Sequence, residues 1–138
     1  MIYSKKVTLK INHLNMEKGN FNKANFMNAD LEEANIRKAK LIGANLINAN
    51  LKGANLEEAH LEGTDLDWAV LIKANLTKCH LVKADLIGTN LEDADLEEAE
   101  NITIDQLSKV KTLYNAKIDP ELEHKLRAKG YSNLFEKP

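Results

Sequence analysis

Along most of this chain the large apolar residues fall at intervals of five, from Phe21 to Leu96, and a small residue follows each of them three positions later. Written from the large residue, the run reads FNKAN, FMNAD, LEEAN, IRKAK, LIGAN, LINAN, LKGAN, LEEAH, LEGTD, LDWAV, LIKAN, LTKCH, LVKAD, LIGTN, LEDAD and LEEAE, sixteen units without a slip. Thirteen of the first slots are Leu, thirteen of the fourth slots are Ala, and eleven of the fifth slots are Asn or Asp. On an α-helix a step of five advances about 140° beyond a full turn, so these leucines would scatter around the cylinder. On a straight strand an odd step would throw successive leucines onto opposite faces. They share one interior only if the chain turns a corner in every unit, which suits the Asn, Asp and Gly of the remaining slots. The pattern therefore predicts an all-β solenoid, a narrow tube lined by one Leu per side with room beside it only for Ala, Thr64, Thr89 or Cys79.

The motif A-(D/N)-L-x-x, as in Ala24-Asn25-Phe26 and Ala44-Asn45-Leu46, resembles that of the pentapeptide-repeat proteins, and the resemblance covers about 80 of the 138 residues. It implies a right-handed quadrilateral β-helix of about four to five coils, four units to a coil, with the Leu and the preceding Ala turned inward. Coils stack at about the strand spacing of 4.8 Å, so residue n should lie over residue n+20. The family's functional branch includes fluoroquinolone-resistance proteins that bind DNA gyrase by imitating the charge and shape of duplex DNA.

A solenoid exposes an apolar core and unpaired edges at its ends and needs caps. Residues 1–15 are read as an amino-terminal flank, in which Val7, Leu9 and Ile11 alternate with polar residues and could form a closing strand; residues 16–102 as the β-helix; and residues 103–138 as a carboxyl-terminal cap of short α-helices. Thr103 and Gln106 have capping-box spacing for a helix running to about Lys111. Asp119 and Pro120 read as the N-cap and first turn of a second helix ending before Gly130, and residues 113–118 between them recover the repeat spacing. The simplest cap is a two-helix lid, which favours a monomer over a homodimer.

The register makes the outer surface readable column by column. Two neighbouring sides carry apolar residues where polar ones are expected: Ile42, Glu62, Val82 and Ile102 on the first, and Met27, Ile47, Asp67 and Ile87 on the second, with Trp68 beside the latter. Met27, Ile42, Ile47, Trp68, Val82 and Ile87 are the candidate docking surface for a protein partner, the alternative being that they only favour extended backbone and cover neighbouring coils. The fourth side alternates in charge, Lys38, Glu58, Lys78, Glu98 beside Arg37, Glu57, Thr77, Glu97, as expected of ion pairs that support the register.

Composition and charge add limits. Residues 16–105 contain nine basic and seventeen acidic side chains, whereas the flanks are basic. Glu92, Asp93, Asp95, Glu97, Glu98 and Glu100 make the last coil acidic, a candidate DNA-mimicking surface through which the chain would inhibit or protect a topoisomerase. The basic residues form no stripe with interleaved aromatics, so direct nucleic-acid binding is not expected. His60 and His80 should stack in one column, but with Lys40 below and only the distant Glu100 above, no metal site and no cofactor is assigned. Cys79, the only cysteine, is expected in the core. No nucleophile–base pair, carboxylate cleft or phosphate loop is recognisable, so the chain reads as a non-catalytic scaffold. It has no apolar run of signal-peptide or membrane-span length, which makes the cytoplasm the default location, with no membrane partner.

Overall fold

A computed structural model of the chain describes residues 8–138. From Lys10 to His80 each fifth-slot residue pairs in parallel with the residue twenty positions on, so one corner runs Lys10, Asp30, Asn50, Val70, Asn90 and another Asn15, Asn35, Asn55, Asn75, Asp95. Units of five that repeat their position every twenty residues make a four-sided β-helix.

Three backbone bonds per unit tie it to its neighbours. In the unit at Leu46, the Leu46 N–H donates to Asp65 O at 2.7 Å, the Asn48 N–H to Asp67 O at 3.0 Å, and the Asn45 N–H to Ala24 O at 2.9 Å. A fourth bond, from Ala49 N–H to Leu46 O at 3.0 Å, closes the corner. The third slot lies at positive φ in every unit, the pattern of a type II turn. Gly43, Gly53, Gly63 and Gly88 suit that slot, yet Lys, Asn, Glu, Asp and Trp68 occupy it elsewhere, each at a cost on the order of 1 kcal/mol that the surrounding ladder must offset.

The second-slot N–H is left without a backbone acceptor, and the fifth-slot preference follows from this. The side chain of Asn25 accepts from Met27 N–H at 3.0 Å, Asn45 from Ile47 N–H at 3.0 Å and Asp95 from Glu97 N–H at 3.0 Å. A short carboxamide or carboxylate reaches the amide two residues on and satisfies it locally. Carboxamides also bond up the corner, as from Asn35 Nδ2 to Asn15 Oδ1 at 3.2 Å.

The interior is a stack of Leu side chains, with Leu46, Leu51, Leu56, Leu61 and Leu66 wholly buried and Ala in the corners. Truncating one of them to Ala removes roughly 2–5 kcal/mol, because rigid coils cannot collapse around the hole. Thr64 and Thr89 substitute for Ala without leaving a polar orphan, since their hydroxyls donate to Leu41 O at 2.7 Å and Leu66 O at 2.9 Å.

Coiling begins at Lys10, earlier than the expected boundary at 16: Ile11 N–H donates to Asp30 O, and His13 takes the left-handed turn slot. Leu9 O accepts from Asp30 N–H and Ile11 opens a turn of the coil; Val7, the first residue of the expected closing strand, lies outside the described residues.

At the other end the pairing interval lengthens from twenty to twenty-two residues, with Asn90 opposite Thr112 and Asp95 opposite Lys117. Helix α1, Ile104–Ser108, takes the place of the first two sides of that coil. It stops at Ser108 rather than near Lys111, because Lys111 has already rejoined the ladder through its N–H to Thr89 O at 2.9 Å. Thr103 and Gln106 form the capping box, and Gln106 Nε2 also donates to Leu81 O at 2.8 Å and Ala84 O at 2.9 Å; Ala84 O thereby gains the donor that a further repeat would have provided, and Leu81 O, already bonded by Ala84 N–H at 3.1 Å, takes a second. Residues 112–118 then complete the coil, so the cap is part coil and part lid. Helix α2, Pro120–Ala128, starts at the Asp119 cap and buries Leu126, and a 3₁₀ turn, Ser132–Phe135, buries Leu134. The Arg127 guanidinium lies 4.2 Å from the centre of the Phe135 ring.

Gln106 thus joins α1 to the tube. Gln106→Glu keeps an oxygen for the capping box but sets a carboxylate against two carbonyls. It should lower stability by about 1–3 kcal/mol, seen as a lower urea midpoint at unchanged slope; an unchanged midpoint would show that these bonds do not hold the cap.

Candidate functional site

The first and second sides gather the exposed apolar groups. Met27, Ile42, Trp68, Val82 and Ile87 are 39–59% exposed, and among the described residues the other large hydrophobics as exposed, Leu9 and Leu14, stand at the amino-terminal end of the tube. Ile47 is half-buried in the same column, and Ile102, expected in the first column, packs instead against the core beneath the cap.

Trp68 owes its position to the repeat. It sits in the left-handed slot at φ 60°, one coil below Gly88. A Cβ on Gly88 would come within 2.2–2.7 Å of the indole, so the ring lies against the bare backbone of the next coil while Trp68 stays largely exposed. Glu62 and Asp67, which interrupt the two columns, are turned to neighbouring groups: Asp67 Oδ1 accepts from Ile87 N–H at 2.8 Å and Glu62 Oε1 lies 3.1 Å from His60 Nδ1. Burial pushes the Asp67 carboxyl up; the Ile87 N–H opposes this, and Asp65 and Asp85 at the same corner add to it.

Where α1 replaces the regular coil, a groove of about 380 Å³ opens between it and the tube, lined by Val82, Lys83, Asp85, Ile87, Asp105 and Lys109. Val82 and Ile87 thus belong to both the apolar columns and the groove. Nothing in the repeat pattern marks the groove, because it depends on where the helix displaces the repeat.

The fourth side forms the expected ion pairs. Arg37 bridges Glu17 at 3.1 Å, Glu57 at 3.1 Å and Glu58 at 3.7 Å, and the hydrogen bonds it donates to Glu57 and then Glu17 raise its pKa further. Lys38–Glu58 and Lys78–Glu98 follow at 3.4 and 3.8 Å.

The acidic residues of the last coil do not form one surface. Glu92 and Asp93 lie on the third side, Glu97 and Glu98 on the fourth, and Asp95 and Glu100 at corners. Several are engaged: Asp95 with Lys117 at 3.4 Å, Glu98 with Lys78, and Glu100 with His80 Nδ1 at 2.9 Å.

At the corner between the fourth and first sides, the His60 and His80 rings stack with centroids 4.5 Å apart and planes 7° from parallel. Glu62 closes on this pair, one donor atom from each of the three residues lying within 4.8 Å of the others. The column reading missed Glu62 because it stands around the corner; its place two residues after a fifth-slot His was the available signal.

The chain belongs to the pentapeptide repeat family, whose model matches it in eight copies over residues 12–48 and 64–100. No curated protein sequence matches it. Among solved structures it is similar to a pentapeptide repeat protein from Nostoc, at 28% identity over 80% of this chain and 86% of that one with a TM-score of 0.65. One from the Arabidopsis thaliana thylakoid lumen is 26% identical over 86% and 74%, with a TM-score of 0.58. Rfr23 of the cyanobacterium Cyanothece is 31% identical over 85% and 67%, with a TM-score of 0.51. The solenoid is the right-handed quadrilateral β-helix of this family. Family membership carries no single activity or compartment; among the described residues no helix is long and apolar enough to cross a membrane.

Cys79 is wholly buried in an Ala slot, and burial pushes its thiol from 9.0 up to about 12. A thiol raised in the folded state adds stability that is complete below its unfolded pKa and is lost as pH rises through the folded value. Between pH 9 and 12 the wild type should therefore lose about 1.4 kcal/mol per pH unit more than Cys79→Ala; parallel pH curves for the two proteins would contradict this.

Proposed function

We propose that this chain is a non-catalytic scaffold that binds another protein through its first and second sides. The observation that carries this reading is the concentration of exposed apolar groups there, Trp68 among them, on a backbone too rigid to bury them. The groove beside α1 extends the surface and adds Lys83, Asp85, Asp105 and Lys109 at its rim. Asp65, Asp67 and Asp85 form an acidic corner between the apolar columns, so the fitting partner presents apolar side chains flanked by Lys or Arg. A monomeric state accords with this reading, because the cap turns Leu107, Leu126 and Leu134 onto the end of the core rather than outward.

The alternative, a DNA mimic acting on a topoisomerase, rests on the acidic last coil and draws less support, since that charge is divided between two sides and partly paired.

Light scattering should give the monomer mass of 15.5 kDa. Ile87→Glu and Trp68→Ala, both at exposed positions, should leave stability within about 0.5 kcal/mol. Each should weaken a captured partner at least tenfold, whereas Glu57→Lys on the fourth side should not. Trp68, the only tryptophan, reports contact directly through a blue shift of its emission on binding. Binding unaffected by Ile87→Glu, or inhibition of gyrase supercoiling abolished by charge reversal at Glu97 and Glu98, would overturn the apolar-side reading.

A further inference from the structure

We propose that His60, Glu62 and His80 form a site for a divalent transition-metal cation such as Zn²⁺ on the outer corner of the solenoid. Parallel pairing of His60 with His80 fixes the two imidazoles one rung apart, so the backbone preorganises the pair. Glu62 supplies the third donor atom, within 4.8 Å of both.

Three further observations favour a ligand here. Both histidines occupy fifth slots, where Asn or Asp would satisfy the amide two residues on; the chain forgoes that bond in two successive coils. Glu62 Oε2 is buried with no hydrogen-bond partner, an acceptor whose lost hydration a cation would replace. His80 Nδ1 is held by Glu100 at 2.9 Å, the carboxylate–imidazole contact that orients a ligating histidine and leaves Nε2 for a metal.

Imidazole with carboxylate suits zinc, nickel, copper or cobalt rather than magnesium or calcium. Bonds to zinc of about 2.0–2.2 Å bring ligand atoms to roughly 3.3 Å from one another. Binding must therefore tilt the rings out of their parallel stack and draw them together, and their 38% and 29% exposure leaves them room to move. The fourth position faces solvent and would hold water. Lys40, one rung below His60, is the cation opposing the site.

The test is calorimetric titration of the full chain with ZnCl₂. One equivalent should bind, and the melting temperature should rise with it. His60→Asn and His80→Asn restore the repeat's own residue, so they should fold at least as well while raising the zinc Kd tenfold or more. Glu62→Gln should weaken binding and Lys40→Gln strengthen it. His13→Ala, which removes the histidine paired with Glu33 on the third side, should change nothing. No measurable zinc binding, or equal affinity in wild type and the His60→Asn/His80→Asn double variant, would overturn the assignment.

Discussion

A coil of this solenoid cannot satisfy its own backbone. Apart from the bond that closes each corner and the second-slot amide, which a fifth-slot side chain takes, the backbone N–H groups of a unit find their acceptors one coil above or below. Unpaired buried backbone groups cost free energy comparable to a lost hydrogen bond, so a unit of four or six residues would orphan several groups and rotate every later Leu out of the interior. The five-residue period, the uniform interior and the straight outer columns all follow from this ladder. So does the cap: at the end of the array the Ala84 carbonyl lacks its next-coil donor, and the Gln106 side chain supplies one while also bonding Leu81 O.

What the sequence shows of this fold is whatever the ladder dictates. Leu and Ala identify the inward slots because only one packing of the tube accommodates them, and the register of twenty then places Arg37 beside Glu57 and His60 beneath His80 before any coordinates are known. The left-handed third slot is poorly marked, since the ladder holds Lys, Glu and Trp68 there as firmly as Gly. Residues that depart from the ladder are the hardest to place. The two-residue lengthening at α1 moves Ile102 out of its column and opens a groove that no repeat position encodes, and the early start at Lys10 is hidden by units whose Leu9 and Leu14 occupy slots usually held by Ala.

The candidate sites also divide along that line. Exposure of Met27, Ile42, Val82 and Ile87 follows from the register, which turns the second slot outward. Contacts that cross a corner do not follow, since they depend on rotamers rather than rungs. Glu62 turning back to His60, and Asp67 turning up to the Ile87 amide, are of this kind. Both acids looked like interruptions of apolar columns, and both are instead engaged with a neighbour, which leaves the apolar groups on either side closer to continuous.

A filled tube has no internal pocket to offer, so specificity must come from places where the chain gives up what the repeat would prefer. His60 and His80 give up a local amide cap, and Trp68 accepts left-handed strain to lay a ring on Gly88. These departures lie in adjacent coils, and the histidine corner adjoins the first side, where Glu62 and Val82 stand. Isolated departures from a repeat are expected from drift that stability tolerates. Departures that converge on one part of the surface, each with a cost the fold does not require, are better explained by something that binds there, and the shared edge means that a cation at the histidine corner would alter the charge next to any partner seated on the apolar sides.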